Sequence, residues 1–137
     1  MTGEQVYTQE TIKALAALGV PLALDDFGTG YSSLIRLQRL AISEVKIDSS
    51  FVRRMADSAD DDRIVRSIVD LVRSFGLRSV AEGVESETVA LRLAEIGCDL
   101  GQGWLFCEPM PAADATAWLR ERQEREYEYG EEFPQTV

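Results

Sequence analysis

The sequence predicts an α/β fold in which a parallel sheet with helical crossovers forms about half of a TIM (β/α)8 barrel. Short apolar or β-branched segments end in polar residues, and helical patterns separate these segments. The order helix, glycine, strand and acidic loop occurs three times before a final strand and helix. Because parallel strands joined by crossovers collect their carboxyl ends on one side of a sheet, we expect the chemistry to lie there.

The first unit begins with a helix predicted over residues 9–18, which ends at Gly19. A strand predicted over Leu22 to Leu24 then leads into Asp25. Apolar residues within 32–39 indicate a short helix that begins the second unit.

The longest helix is predicted from about Asp60 to Phe75, where apolar residues recur at helical spacing and charged residues face water. Gly76 ends this helix. Ser86 is expected to cap the next helix, and Gly97 to end it before the last strand.

Polar residues follow each predicted strand. Asp25 and Asp26 are adjacent carboxylates that repel each other, and a divalent cation between them would relieve that repulsion. The alternative is a turn in which both side chains only cap backbone amides, a common use of Asp before Gly. The polar runs are Asp25-Asp26-Phe27-Gly28, Val45-Lys46-Ile47-Asp48, Val80-Ala81-Glu82-Gly83-Val84-Glu85 and Asp99-Leu100-Gly101-Gln102-Gly103.

These runs, in this order and spacing, resemble the EAL domain family, bacterial enzymes that hydrolyse cyclic di-GMP. The resemblance extends over roughly residues 10 to 119 and corresponds to the C-terminal half of such a domain. It implies the last four strands of the barrel with their helices. The matching motifs are Asp25 to Leu34, Lys46 to Val52, Ala81 to Glu85 and Gly97 to Gly103.

The resemblance also implies a two-metal hydrolysis of cyclic di-GMP to linear pGpG with Mg²⁺ or Mn²⁺. In that scheme Asp25 bridges the two ions and Asp26 holds the second. Glu82 matches a ligand of the second ion that has also been assigned as general base. Lys46 would orient the attacking water or the phosphoryl oxygens, and Gln102 would hydrogen-bond that water.

Supporting roles are implied for Glu85, at the loop around the aspartate pair, and for Asp48. Two alternatives stay open on the residues alone. Lys46 would then be only a counter-ion to Asp48, and Gln102 only a turn residue.

The segment after the last strand departs from the family pattern. Pro109 is implied to contact substrate, but Glu108 precedes it where the family commonly has Arg or Lys. An acid at that position disfavours contact with an anionic dinucleotide. Trp104 replaces the more usual Tyr or Phe at the expected floor of the pocket.

The family's first-metal ligands, carried by upstream strands with the Glu-Ala-Leu signature, an Asn and a further Glu, are not matched in this chain. The chain begins 24 residues before Asp25, so we expect a fragment that keeps only the second-metal half and is inactive in isolation. The alternative is a non-catalytic remnant that binds a nucleotide or a protein in cyclic di-GMP signalling. Open strand edges near Leu22 to Leu24 and near Leu105 to Phe106 further predict a homodimer.

Composition limits the remaining possibilities. The net charge of −10 argues against nucleic acid and anionic membrane as partners. No stretch approaches 18 consecutive apolar residues, and no charged and then apolar leader opens the chain, so a cytoplasmic location is expected. There is no histidine, and Cys98 and Cys107 are expected to be packing residues. The domain is assigned to residues 1–119, and 120–137 to a charged helical extension with a disordered tail or, alternatively, a partner-binding one.

Overall fold

Four parallel strands form the centre of the computed structural model, which describes residues 3–29, 37 and 40–129. The strands are Ala23–Phe27 (β1), Glu44–Ile47 (β2), Arg78–Glu82 (β3) and Leu100–Gln102 (β4), and they pair in the order β1-β2-β3-β4. The helices are Gly3–Ala17 (α1), Ser49–Val52 (α2), Ala59–Ser74 (α3), Glu87–Ile96 (α4) and Ala112–Tyr129 (α5). The predicted α/β fold with parallel strands is therefore confirmed.

One face of the sheet is buried under the helices. Val45 and Ile47 of β2 are fully buried, and their register partners in β3, Ser79 and Ala81, are buried beside them. Helix α3 is strongly amphipathic. Its buried residues, which include Val65, Val69 and Val72, pack in the same apolar core. Because burial of one such side chain contributes about 1.5–3 kcal/mol, this core holds the strand ends in place.

The opposite face of the sheet carries charge. Glu44 and Lys46 alternate with the buried residues of β2, and both are half-buried. Glu44 forms an ion pair with its register partner Arg78, and Lys46 forms one with Glu82. The sequence predicts that an incomplete barrel exposes its inward side chains here. In the described strands that inward face includes the cross-strand ion pairs Glu44–Arg78 and Lys46–Glu82.

Helix ends follow the sequence signals closely. Ser58 caps α3 and Ser86 caps α4, where the Ser86 hydroxyl accepts a hydrogen bond from the Val89 N–H at 3.3 Å. Gly97 ends α4 in the left-handed conformation with φ of 77°. The predictions for Ser86 and Gly97 are confirmed.

Helix α5 corrects one expectation, because its 18 residues exceed the 16 of α3, which was predicted to be the longest helix. Its second half is rich in Glu, Arg and Gln, whose helix propensity is high. The helix crosses the boundary expected at residue 120 without interruption. The tail at 130–137 lies outside the described residues, as does the helix predicted over 32–39 apart from Leu37.

Helices α3 and α4 are joined by a bidentate ion pair. Arg92 donates to both carboxylate oxygens of Asp62, at 2.6 and 2.8 Å. This contact holds the pKa of Asp62 below its usual value. The stabilisation is therefore present above the ordinary Asp pKa and is lost as the pH falls through the lowered one.

The outer strands of the sheet are β1 and β4. Strand β1 includes Asp25 and Asp26, so it begins and ends later than the predicted strand over Leu22 to Leu24. The second predicted edge, near Leu105 to Phe106, is wrong. Strand β4 ends at Gln102, and the Leu105 N–H instead donates to the Val84 carbonyl. No described helix is both long and apolar enough to cross a bilayer.

Candidate metal centre

The site begins with a bulge at the end of β1. Leu24 pairs with Val45 and Phe27 pairs with Ile47, so three steps along β1 match two along β2. Asp26 absorbs the extra residue with a φ of 54°, the left-handed region that Asp tolerates better than most residues. In a regular strand, adjacent side chains point to opposite faces of the sheet. A bulge changes the direction of a side chain, so Asp25 and Asp26 can lie on the same side.

The bulge brings the adjacent carboxylates to a third one. One carboxylate oxygen each from Asp25, Asp26 and Glu82 lies within 4.8 Å of the others. Asp25 is 62% exposed at its side chain, whereas Glu82 is only 20% exposed. Three carboxylates at this spacing are a donor set that suits a hard divalent cation such as Mg²⁺ or Mn²⁺.

Lys46 lies against two of these carboxylates. Its Nζ is 2.5 Å from Glu82 Oε1 and 3.8 Å from Asp25 Oδ1. The hydrogen bond to Glu82 raises the pKa of Lys46, with further contributions from both carboxylate charges, although burial opposes the shift. The ammonium is therefore charged at neutral pH. The alternative in which Lys46 is only a counter-ion to Asp48 is wrong.

Asp48 has a structural task at the start of α2. Its carboxylate accepts a hydrogen bond from the Ser50 N–H at 2.8 Å and another from the Ser50 hydroxyl. These bonds are the main reason that the pKa of Asp48 lies below its usual value; Arg53 and Asp26 add to the shift and burial opposes it. Asp48 thus fixes the helix that directly follows the Lys46 strand.

Four other residues singled out by the sequence lie outside the carboxylate set. Glu85 pairs with Arg53, at 3.1 Å from Arg53 Nε to Glu85 Oε1. Gln102 is exposed and is the register partner of Glu82. Pro109 lies in an exposed segment between β4 and α5. Trp104, expected at a pocket floor, is 63% exposed.

Sequence reasoning missed two glycines that set the backbone around the site. A Cβ on Gly103 would lie 2.1 Å from the Val84 carbonyl oxygen, and a Cβ on Gly83 would lie 2.6 Å from the Ser49 Cβ. Both glycines therefore allow a close approach between neighbouring strand ends. The signal in the sequence was their position, immediately after Glu82 and Gln102.

The fold and the placement of its polar site define part of a (β/α)8 barrel with charged groups at the carboxyl ends of the strands. The sequence model of the EAL domain matches residues 1–109, and the chain belongs to the EAL domain family. The predicted family and the predicted partial barrel are confirmed.

Relatives and solved structures agree with this assignment. Over 106 residues the chain is 48% identical to MucR of Pseudomonas aeruginosa, a bifunctional diguanylate cyclase/cyclic di-GMP phosphodiesterase, covering 77% of the chain and 16% of MucR. The EAL domain of Mycobacterium smegmatis DcpA is 42% identical with a TM-score of 0.79, covering 83% of this chain and 51% of that one. Klebsiella pneumoniae BlrP1, in a manganese/cy-diGMP complex, is 39% identical with a TM-score of 0.68, covering 74% and 26%.

Proposed function

We propose that the chain is part of an EAL-type phosphodiesterase that hydrolyses cyclic di-GMP to linear pGpG with Mg²⁺ or Mn²⁺. The observation that carries the proposal is the convergence of Asp25, Asp26 and Glu82 around a charged Lys46. Two findings on relatives support it: the name of MucR as a cyclic di-GMP phosphodiesterase, and the manganese complex of BlrP1.

The three carboxylates differ in exposure, and we assign them different roles. Asp25 and Asp26 are the more exposed carboxylates. By the family resemblance, Asp25 would be shared between two ions. Glu82 is the more buried ligand and also a candidate general base. A bound divalent ion would lower the pKa of water and offset phosphoryl charge.

Lys46 and Gln102 would act on the substrate side. The Lys46 ammonium can donate hydrogen bonds to a phosphoryl oxygen or to the attacking water. Gln102, beside Glu82 on the neighbouring strand, offers an amide for the same water. Both are positioned at the carboxyl ends of their strands, where barrel enzymes hold substrate. Glu85 and Asp48 keep the supporting roles that the family resemblance implies, and Pro109 keeps its implied contact with substrate.

The chain spans about half of the DcpA domain that it matches. We propose that it holds the second-metal half of the site, with Asp25 as the bridging ligand, and lacks the other ligands of the first ion, because the family's Glu-Ala-Leu, Asn and Glu ligands have no match in its sequence. A two-metal mechanism with one ion largely unligated loses several kcal/mol of charge stabilisation, on the order of a thousandfold in rate.

The 137-residue chain is therefore expected to show at most trace turnover of cyclic di-GMP. Incubation with the dinucleotide and Mn²⁺, followed by chromatography of linear pGpG, measures this directly. Turnover of about 1 s⁻¹ or faster, typical of complete enzymes, would contradict the proposed half-site. Binding without any turnover would favour the alternative of a non-catalytic nucleotide-binding module.

Self-association is a further part of the proposal. Strands β1 and β4 are unpaired on their outer edges in the described sheet, and such edges readily pair with another chain. We expect a two-fold dimer in which two sheets imitate a closed barrel. Light scattering coupled to size exclusion should give twice the chain mass of 15.2 kDa. A concentration-independent monomer with a cooperative melt would contradict this expectation.

A further inference from the structure

The turn after β3, residues 83–85, lies between α2 and the turn after β4. On the β4 side, the Val84 N–H donates to the Gln102 carbonyl at 3.0 Å, and the Leu105 N–H donates to the Val84 carbonyl at 3.1 Å. On the α2 side, Gly83 has a φ of 73° and lies against Ser49. The turn that directly follows Glu82 is therefore held on two sides.

Arg53 makes the side-chain contacts on the α2 side. Its Nε lies 3.1 Å from Glu85 Oε1 and 3.2 Å from the point that a Cβ on Gly83 would occupy. One guanidinium thus pairs with Glu85 at one end of the turn and lies beside Gly83 at the other. Its backbone N–H donates to the Ser49 carbonyl at 3.0 Å, which fixes Arg53 at the end of α2.

This arrangement connects the two strand ends that carry the Lys46–Glu82 pair. Helix α2 begins three residues after Lys46, and the turn held by Arg53 begins one residue after Glu82. Loss of the guanidinium would leave only the packing of Gly83 on Ser49 to hold the α2 side of the turn, beside the hydrogen bonds to the β4 side. The Glu82 carboxylate would then be less closely held against Lys46 and the aspartates.

The contact is poorly suited to a purely stabilising role. The side chains of Arg53 and Glu85 are 55% and 44% exposed. Exposed ion pairs typically contribute about 0–1 kcal/mol to folding. In contrast, mutation of a group that orients a metal ligand typically weakens metal binding about 10–100-fold.

We propose that Arg53 is a positioning residue, which holds Glu82 in the carboxylate set by anchoring the following turn through Glu85. The inference rests on the metal site of the proposed function. It assigns Glu85 a partner on α2 in addition to the loop support that the family resemblance implies.

The test compares Mn²⁺ affinity, by calorimetry, in the full chain and in Arg53→Ala, Arg53→Lys and the charge-reversed pair Arg53→Glu with Glu85→Arg. Arg53→Ala is expected to weaken Mn²⁺ binding about tenfold. Arg53→Lys and the reversed pair should recover part of that loss. Melting temperatures should change by no more than about 4 °C, since the pair is exposed. Arg63→Ala, which removes an exposed ion pair within α3, is the matched control and should change neither quantity.

Hydrogen exchange gives a readout that needs no metal. If Arg53 anchors the turn, its loss should accelerate exchange of the Val84 and Leu105 N–H groups, while core amides of α3 keep their protection. Unchanged exchange at these two amides would overturn the inference. So would equal Mn²⁺ affinity in Arg53→Ala and the parent chain. Faster exchange in a chain that binds no Mn²⁺ would instead contradict the proposed metal site and, with it, the role of Arg53 in metal binding.

Discussion

Gly103→Ala is expected to destabilise the chain by about 3 kcal/mol or more, the upper end for overpacking. The added Cβ would lie 2.1 Å from the Val84 carbonyl oxygen and 2.4 Å from the Val84 nitrogen. Backbone atoms cannot rotate away as a flexible side chain does, so the two strand ends would have to separate. Since single domains are stable by only about 5–15 kcal/mol, this is a large fraction of the total.

Urea unfolding measures the free energy of unfolding of Gly103→Ala and of the control Gly76→Ala. The comparison separates the steric clash at Gly103 from the backbone strain of placing alanine at a glycine position. Gly76 has a φ of 69° and open space around its Cβ position, so alanine there meets only the cost of the left-handed conformation, about 1–2 kcal/mol. Gly103→Ala should lose more stability than this control. An equal or smaller loss would show that the turns after β3 and β4 do not pack as closely as described.

Glu82→Gln is expected to remove most of the stabilisation that Mn²⁺ provides. At a metal concentration of 100 times the dissociation constant, binding raises the free energy of unfolding by about 2.7 kcal/mol. Glutamine keeps the size of the side chain but loses the charge that binds Lys46 and the ion. We expect at least about tenfold weaker binding. The measurement is the Mn²⁺-dependent rise in melting temperature.

Glu87→Gln is the matched control for this substitution. Glu87 is exposed in the first turn of α4, outside the carboxylate set, so its neutralisation should leave the Mn²⁺-dependent rise intact. A full rise in Glu82→Gln, or a loss of the same size in Glu87→Gln, would mean that the ion binds elsewhere on this acidic chain.

The strands and helix caps were predictable because their signals are local. Helix α4 begins after Ser86 and ends at Gly97, as these residue types indicate. The alternating burial of β2 follows from its β-branched residues. Parallel strands then have to present their carboxyl ends on one side. The meeting of Asp25 with Glu82 was therefore accessible from the sequence.

The bulge and the anchoring contacts were not predictable, because they depend on pairing between distant strands. Nothing in the hydrophobic pattern marks the extra residue in β1, although aspartate at position 26 tolerates the positive φ that the bulge requires. The sequence does not show what Arg53 and Gly103 contact, since those contacts form only where two turns pack together. The ion-paired inner face likewise depends on register, which sets Glu44 opposite Arg78.

The most direct test of the metal site is calorimetric titration of the chain and of Asp26→Asn with Mn²⁺. Asparagine tolerates the left-handed conformation as aspartate does, so the substitution keeps the bulge and removes one ligand charge. We expect measurable, weak binding by the parent chain and binding at least about tenfold weaker in the variant. Equal binding by both chains, or no binding by the parent, would contradict the placement of a divalent cation among Asp25, Asp26 and Glu82.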